Sequence, residues 1–167
     1  MSGETESLTT AKDQLAHFEK LIDSYIVKQG IHVVEYNEEA LKILSMKSFE
    51  LKALTSQECG ELAFSLSQYA LYVQQQVNEQ TTRINWAKNN IKKFVAKNLG
   101  KFDRYMKYEE KEHAVIASDE YAAKLNDILS YAQAVSDRLS FMSGKIQSIS
   151  NTLIELQRSK RRADNVR

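Results

Sequence analysis

The sequence predicts an all-α, oligomeric protein: a long antiparallel helical hairpin with coiled-coil seams, plus a smaller helical part on its amino-terminal side. Three observations carry this. Residues 121–156 place an apolar side chain at alternating steps of four and three without a miss, at Tyr121, Leu125, Ile128, Ala132, Val135, Leu139, Met142, Ile146, Ile149, Leu153 and Leu156. A seven-residue period held this long keeps one seam on one side of a helix. A second such pattern runs through Ala63, Leu66, Ala70, Val73, Val77, Gln80, Ile84, Ala87, Ile91 and Phe94, with Gln80 its single polar member. The third observation is that the 167 residues include no proline. At typical usage about eight would be expected, and each would break a helix interior.

Taken in order, residues 1–55 read as an N-terminal helical segment. Its first helix runs from about Thr10 to Gln29. Thr10 and Asp13 form a capping box, Leu15, Phe18, Leu21, Ile22, Tyr25 and Ile26 form the apolar face, and Gly30 stops it. Residues 31–36 (IHVVEY) read as extended or irregular. Asn37 then caps a short helix over 38–54, with Leu41, Leu44, Phe49 and Leu51 partly buried. The hairpin occupies 56–162. Thr55 and Glu58 make a second capping box, opening a helix over 56–99 that ends at Gly100. At 1.5 Å per residue it is about 65 Å long. A helix of similar length covers 119–162, with Ser118 as its amino-terminal cap ahead of Asp119 and Glu120. The connection, 100–118, is too rich in apolar and aromatic residues for a plain linker and should fold as a helical turn or pack on a neighbour. Residues 163–167 form a basic tail.

Ser136, Ser143 and Ser150 flank the last seam at seven-residue spacing, small enough to let helices approach closely. Two long apolar seams exceed what one thin hairpin can cover, and large uncovered patches mark interfaces. Leu125, Ile128, Val135, Leu139, Met142, Ile146, Ile149 and Leu153 are therefore expected at an interface between copies.

Catalytic signals are sparse. The three histidines, His17, His32 and His113, lack ligand spacing, and Cys59 stands alone. There is no glycine-rich phosphate loop. No catalytic residue, metal or cofactor is assigned. Cys59 sits near a helix start, where a thiolate would be favoured; a partly buried small residue is the plainer reading. Glu109, Glu110 and Glu112 read as a solvated face. No run of about 18 apolar residues suggests a membrane span, and the polar opening MSGETESLTT is unlike a signal peptide.

Charge is blocked along the chain. Residues 1–80 carry 6 basic and 12 acidic side chains, 81–108 carry 8 and 1, 109–156 carry 4 and 8, and 157–167 carry 5 and 1. The 81–108 block is the candidate binding surface. Arg83, Lys88, Lys92, Lys93, Lys97, Lys101, Arg104 and Lys107 supply charge for phosphates. Trp86, Phe94, Phe102, Tyr105 and Tyr108 are interleaved with them. Charge that tracks a backbone, with aromatics on which bases stack, is how single strands are bound without sequence preference. Phe94 lies on the seam and belongs to the core; Trp86 suits core or interface; Tyr105 and Tyr108 are free to stack. The rival reading is a lysine face that is merely solvated. Arg158, Lys160, Arg161 and Arg162 form a second cluster that could cap a helix dipole, join the binding surface or be a solvated end.

The stretch EEKEHAVIASDEYAAKLNDILSYAQAVSDRLSFMSGKIQSISNTLIELQR resembles the carboxy-terminal half of the UvsY-type recombination mediators of tailed phages. The shared pattern is a mixed acidic and basic run, a short apolar piece ending in Ala117-Ser118-Asp119, and a long helix ending in basic residues. The lysine-rich end of the preceding helix is similar too, and the likeness covers roughly residues 60–162. It implies a helical, ring-forming oligomer that binds single-stranded DNA and has no catalytic activity. Its partners would be a RecA-type recombinase and the single-strand-binding protein that the recombinase replaces, in the host cytoplasm. It also places Lys88, Lys92, Lys93 and Lys97 in the region where such proteins contact DNA. The competing expectations are a structural or scaffolding coiled-coil protein, such as a virion component, and a helical enzyme.

Overall fold

A computed structural model of the chain describes residues 10–30 and 35–164. Among these the regular structure is entirely helical: α1 (Ala11–Lys28), α2 (Glu38–Ser45), α3 (Ser48–Ala53), α4 (Ser56–Asn98), a 3₁₀ turn (Leu99–Lys101), α5 (Tyr108–Ser118) and α6 (Glu120–Asp164). Residues 31–34 of the expected irregular stretch, His32 and residues 165–167 of the basic tail lie outside the described residues.

Local side-chain chemistry sets the boundaries. The Thr10 hydroxyl accepts from the Asp13 N–H at 3.1 Å and opens α1. Gly30 follows the helix at φ +64°, a left-handed conformation that costs glycine nothing. Thr55 and Glu58 bond reciprocally. Glu58 N–H donates to the Thr55 hydroxyl at 3.2 Å, and its carboxylate accepts from Thr55 N–H at 2.6 Å. These bonds to Thr55 hold the Glu58 carboxyl below the usual carboxylate range.

Two expected boundaries are corrected. The single helix over 38–54 is two helices, because Met46 and Lys47 are extended. Ser45 closes α2 by donating its hydroxyl to the Lys42 carbonyl at 2.7 Å, and Glu50 opens α3 by accepting from Lys47 N–H at 2.6 Å. The cap of α6 is Asp119, not Ser118. Asp119 Oδ1 accepts from Ala122 N–H at 3.0 Å, while Ser118 completes α5 and bonds back to Val115. An anionic cap suits the positive end of the helix dipole better than a hydroxyl.

The chain divides into two units, and each long helix contributes one stretch to each. The first holds the described residues of Met1–His32 with Glu79–Val135. Its core is Ala11, Ile91, Val95, Val115, Ala122 and Leu125, with Phe94, Phe102, Tyr121 and Ile128 packed against it. α1 is fastened here by Phe18 stacked on Trp86, by Glu19 paired with Arg83, and by the Tyr121 hydroxyl donating to Gln14 Oε1 at 2.7 Å. Gln80, the polar member of the seam, is buried, and its amide oxygen accepts from the same Arg83.

The second unit holds the described residues of Val33–Asn78 with Ser136–Arg167. Its core joins Ala63, Leu66, Tyr69, Ala70 and Val73 of α4 to Ile146 and Leu153 of α6 and to Ala40 and Ile43 of α2. Full burial of a leucine or isoleucine here contributes about 1.5–3 kcal/mol. Within this unit α4 and α6 run antiparallel: Ser143 donates to the Ala70 carbonyl at 3.3 Å and Ser150 to the Ala63 carbonyl at 2.8 Å. Ser150 and Ser67 hydroxyls also meet at 2.9 Å.

The serine row has a consequence for the last seam. The face of α6 turned to α4 in this unit runs through Ser143, Ile146, Ser150 and Leu153, one position round from Met142. Met142 is left exposed, while Leu139 and Ile149 pack at the edge of the core. Leu125, Ile146 and Leu153, three of the residues expected between copies, are fully covered by their own chain. Ile128 and Val135 are half-buried.

Candidate nucleic-acid interface

The candidate surface begins on the last turns of α4. At 3.6 residues per turn, Lys92, Lys93 and Lys97 face away from Ala87 and Ile91, which are buried, and Lys88 lies on the flank, about 60° round from Ile91. Lys88 and Lys92 form one row and Lys93 and Lys97 another. The four cover about 14 Å of helix length. All four are exposed. The seam periodicity fixes this: the same repeat that buries Ile84, Ala87 and Ile91 turns the lysines outward.

The surface continues past the helix end. Lys101 lies in the 3₁₀ turn, Arg104 and Tyr105 in the following turn, and Lys107 and Tyr108 at the start of α5. All five are exposed. Seven of the eight expected basic residues thus share an exposed, contiguous stretch of the first unit. Among the described residues none of these seven forms an ion pair. Asp103, the one acidic residue within 81–108, turns its carboxylate onto the Tyr105 N–H at 2.9 Å. Like charges gathered without counter-charges raise the local positive potential and attract an anion.

Arg83 departs from the set. Its guanidinium pairs with Glu19 and bonds Gln80, so its charge is engaged in docking α1. Trp86 is likewise a docking residue, packed on Phe18. Phe94 lies against Tyr121, its ring centroid 5.7 Å away, and Phe102 packs on the core. Of the interleaved aromatics Tyr105 and Tyr108 are exposed, while Trp86, Phe94 and Phe102 are half-buried. Sequence spacing missed these losses because the partners, Glu19 and Phe18, come from a helix some sixty residues away.

The second basic cluster is partly engaged. Arg158 pairs with Glu155, and Lys160 Nζ donates to the Lys52 carbonyl in the last turn of α3 at 2.8 Å. Arg161 and Arg162 are exposed in the last turn of α6, where cations offset the helix dipole. Cys59 is completely buried, and burial pushes its thiol up. It packs in the core as a small apolar side chain. Among the described residues no three His, Cys, Asp or Glu side chains gather as a metal site. No described helix is long and apolar enough to cross a membrane.

No family model matches this sequence, and none of the curated proteins and none of the solved structures matches it.

Proposed function

We propose that the chain is a non-enzymatic, single-stranded DNA-binding recombination mediator that helps load a RecA-type recombinase onto strands covered by single-strand-binding protein. The observation that carries this is the run of seven exposed basic side chains from Lys88 to Lys107, none ion-paired among the described residues and with an exposed tyrosine among them. A protein gains affinity for a strand by replacing its condensed counterions with such charges. The resemblance to UvsY-type mediators supplies the phage setting, the host cytoplasm and the two protein partners.

The same reading takes α4 and α6 as a coiled-coil hairpin whose copies assemble. The antiparallel pairing in the second unit supports the hairpin. The exposed Phe141 and Met142 of α6 support assembly, since uncovered apolar surface marks contact sites. One lysine run makes few phosphate contacts. Several on one assembly bind the same strand together, and avidity then exceeds single-site affinity by about 10² to 10⁴. Those same exposed apolar residues favour the second reading, a scaffolding coiled-coil protein with no strand to bind.

Oligo-dT binding measured alongside light scattering separates the two. The mediator binds at micromolar concentration or better as an oligomer, and it speeds recombinase loading onto coated strands. An intact oligomer with no affinity for the strand is a scaffold, and a monomer that loads recombinase as well as any assembly rules out the avidity mechanism.

A further inference from the structure

Between the 3₁₀ turn and α5 the chain makes a short turn whose shape is fixed by its own bonds. Phe102 N–H donates to the Leu99 carbonyl at 3.2 Å, and the Phe102 ring packs on the core of the first unit. Asp103 then accepts twice, through Oδ1 from Tyr105 N–H at 2.9 Å and through its carbonyl from Met106 N–H at 3.2 Å. An aspartate that holds the main chain two residues on is a recurrent way to lock a turn. Met106, on the far side, is half-buried.

Tyr105 lies between these anchored neighbours, and it is 91% exposed. Its side chain has no hydrogen-bond, ring or ionic partner among the described residues. A tyrosine ring is a large apolar surface, and surfaces of that kind are ordinarily covered. Here the backbone beneath it is pinned while the ring stands free. Lys101, Arg104 and Lys107 lie within four residues of it; of the two carboxylates in the same span, Asp103 is occupied by the turn and Glu109 stands in the first turn of α5.

Resting on the nucleic-acid reading above, we infer that Tyr105 is a base-stacking residue that makes this surface selective for unpaired strands over duplex. The lysines of α4 address phosphates, which single strands and duplexes both carry. They give affinity without discrimination. A base offers its face only when it has left the stack, and an aromatic side chain accepts any base by that face. A rigid ring on a locked turn beside a phosphate-binding run combines the two requirements. Tyr108 is half-covered and stands at the start of a helix whose next residues are Glu109 and Glu110, so it is the weaker platform.

The test uses the full chain and its Tyr105→Ala and Tyr105→Phe variants. Affinities are measured by fluorescence anisotropy for three probes of one length: oligo-dT, a duplex, and a strand whose central positions are abasic but keep their phosphates. Tyr105→Ala should weaken oligo-dT binding by about 5- to 150-fold, the range that loss of one stacked base covers. Its salt slope and duplex affinity should stay unchanged, and Tyr105→Phe should bind as the unaltered chain does. The unaltered chain should lose a similar factor on the abasic strand, to which Tyr105→Ala should be indifferent.

Equal oligo-dT affinity for the alanine variant overturns the inference. So does an equal loss on duplex, or a change of oligomer mass with strand binding intact, which would make the ring a contact between copies. The Lys88→Ala, Lys92→Ala, Lys93→Ala triple variant separates the two levels. If it loses strand affinity while Tyr105→Ala does not, the lysine surface stands and the stacking role falls. If the unaltered chain binds no probe, both fall together.

Discussion

Two clusters of basic residues, one mostly lysine and one mostly arginine, differ in what the fold does with them. From Lys88 to Lys107 the side chains stand exposed with no ion pair among the described residues. From Arg158 to Arg162 two of four are spent on the protein itself. Arg158 pairs with Glu155, and Lys160 closes the last turn of α3 through the Lys52 carbonyl. Arg83 makes the same point inside the first block, since its pairing with Glu19 removes it from the surface. Basic composition marks where a phosphate-binding surface could lie. Whether the fold already supplies partners decides whether it lies there.

The comparison can be pressed by mutation. If the carboxy-terminal cluster is structural, loosening the core beneath it should cost stability and leave strand binding alone. Leu153→Ala removes a completely buried side chain from the core of the second unit. It should destabilise the chain by about 2–5 kcal/mol, read by urea denaturation. The folded fraction should keep its affinity for oligo-dT; a parallel loss would show that the two clusters act as one surface. A smaller effect follows for Lys160→Met, which keeps the apolar stem and deletes the charged donor to Lys52. About 0.5–1 kcal/mol of stability should be lost, with no change in the salt dependence of binding.

Two further effects concern the second unit alone. Gly144 lies in the middle of α6 with nothing within 4 Å of where a Cβ would stand. Gly144→Ala should therefore raise stability by about 0.5–1 kcal/mol; a loss would mean that this face of α6 is covered by another copy. The pH response is the smallest. Bonds from Thr55 depress the Glu58 carboxyl. Its stabilising contribution is fully present above the unfolded value near 4.5 and lost as pH falls through the lower folded value. Acid titration of thermal stability should show that loss in the unaltered chain and a shallower one in Glu58→Gln.

Much of the fold was legible because periodicity reports burial directly. Every residue of the α4 repeat from Ala63 to Ile91 is buried, including Gln80; the Thr55–Glu58 box closes, and Thr10 caps α1 by accepting from the Asp13 N–H. The α6 repeat was legible only in part. The seven-residue serine spacing marked a close approach, and Ser143 and Ser150 do bond the α4 backbone, but a count of apolar positions gives serine no place in the buried stripe. The buried stripe is thus turned toward them and away from Met142. The basic surface was legible as composition, and its exposure followed from the seam. The engagement of Arg83 and Trp86 was not, because it depends on where α1 docks, and no short-range pattern encodes that.

The central claim is that unpaired charge in the Lys88–Lys107 run binds the strand. It is tested most directly by the slope of log affinity against log salt for oligo-dT, measured for the unaltered chain, the Lys88→Ala, Lys92→Ala, Lys93→Ala variant and an Arg83→Ala, Arg158→Ala variant, whose two arginines are already ion-paired. Each phosphate contact on a single strand contributes about 0.7 to that slope. The triple lysine variant should therefore flatten it by about 2 and weaken binding by about 100-fold at 0.1 M salt. The arginine variant should leave the slope unchanged. A triple variant that binds as tightly with an unchanged slope, or an arginine variant that flattens it instead, would contradict the account.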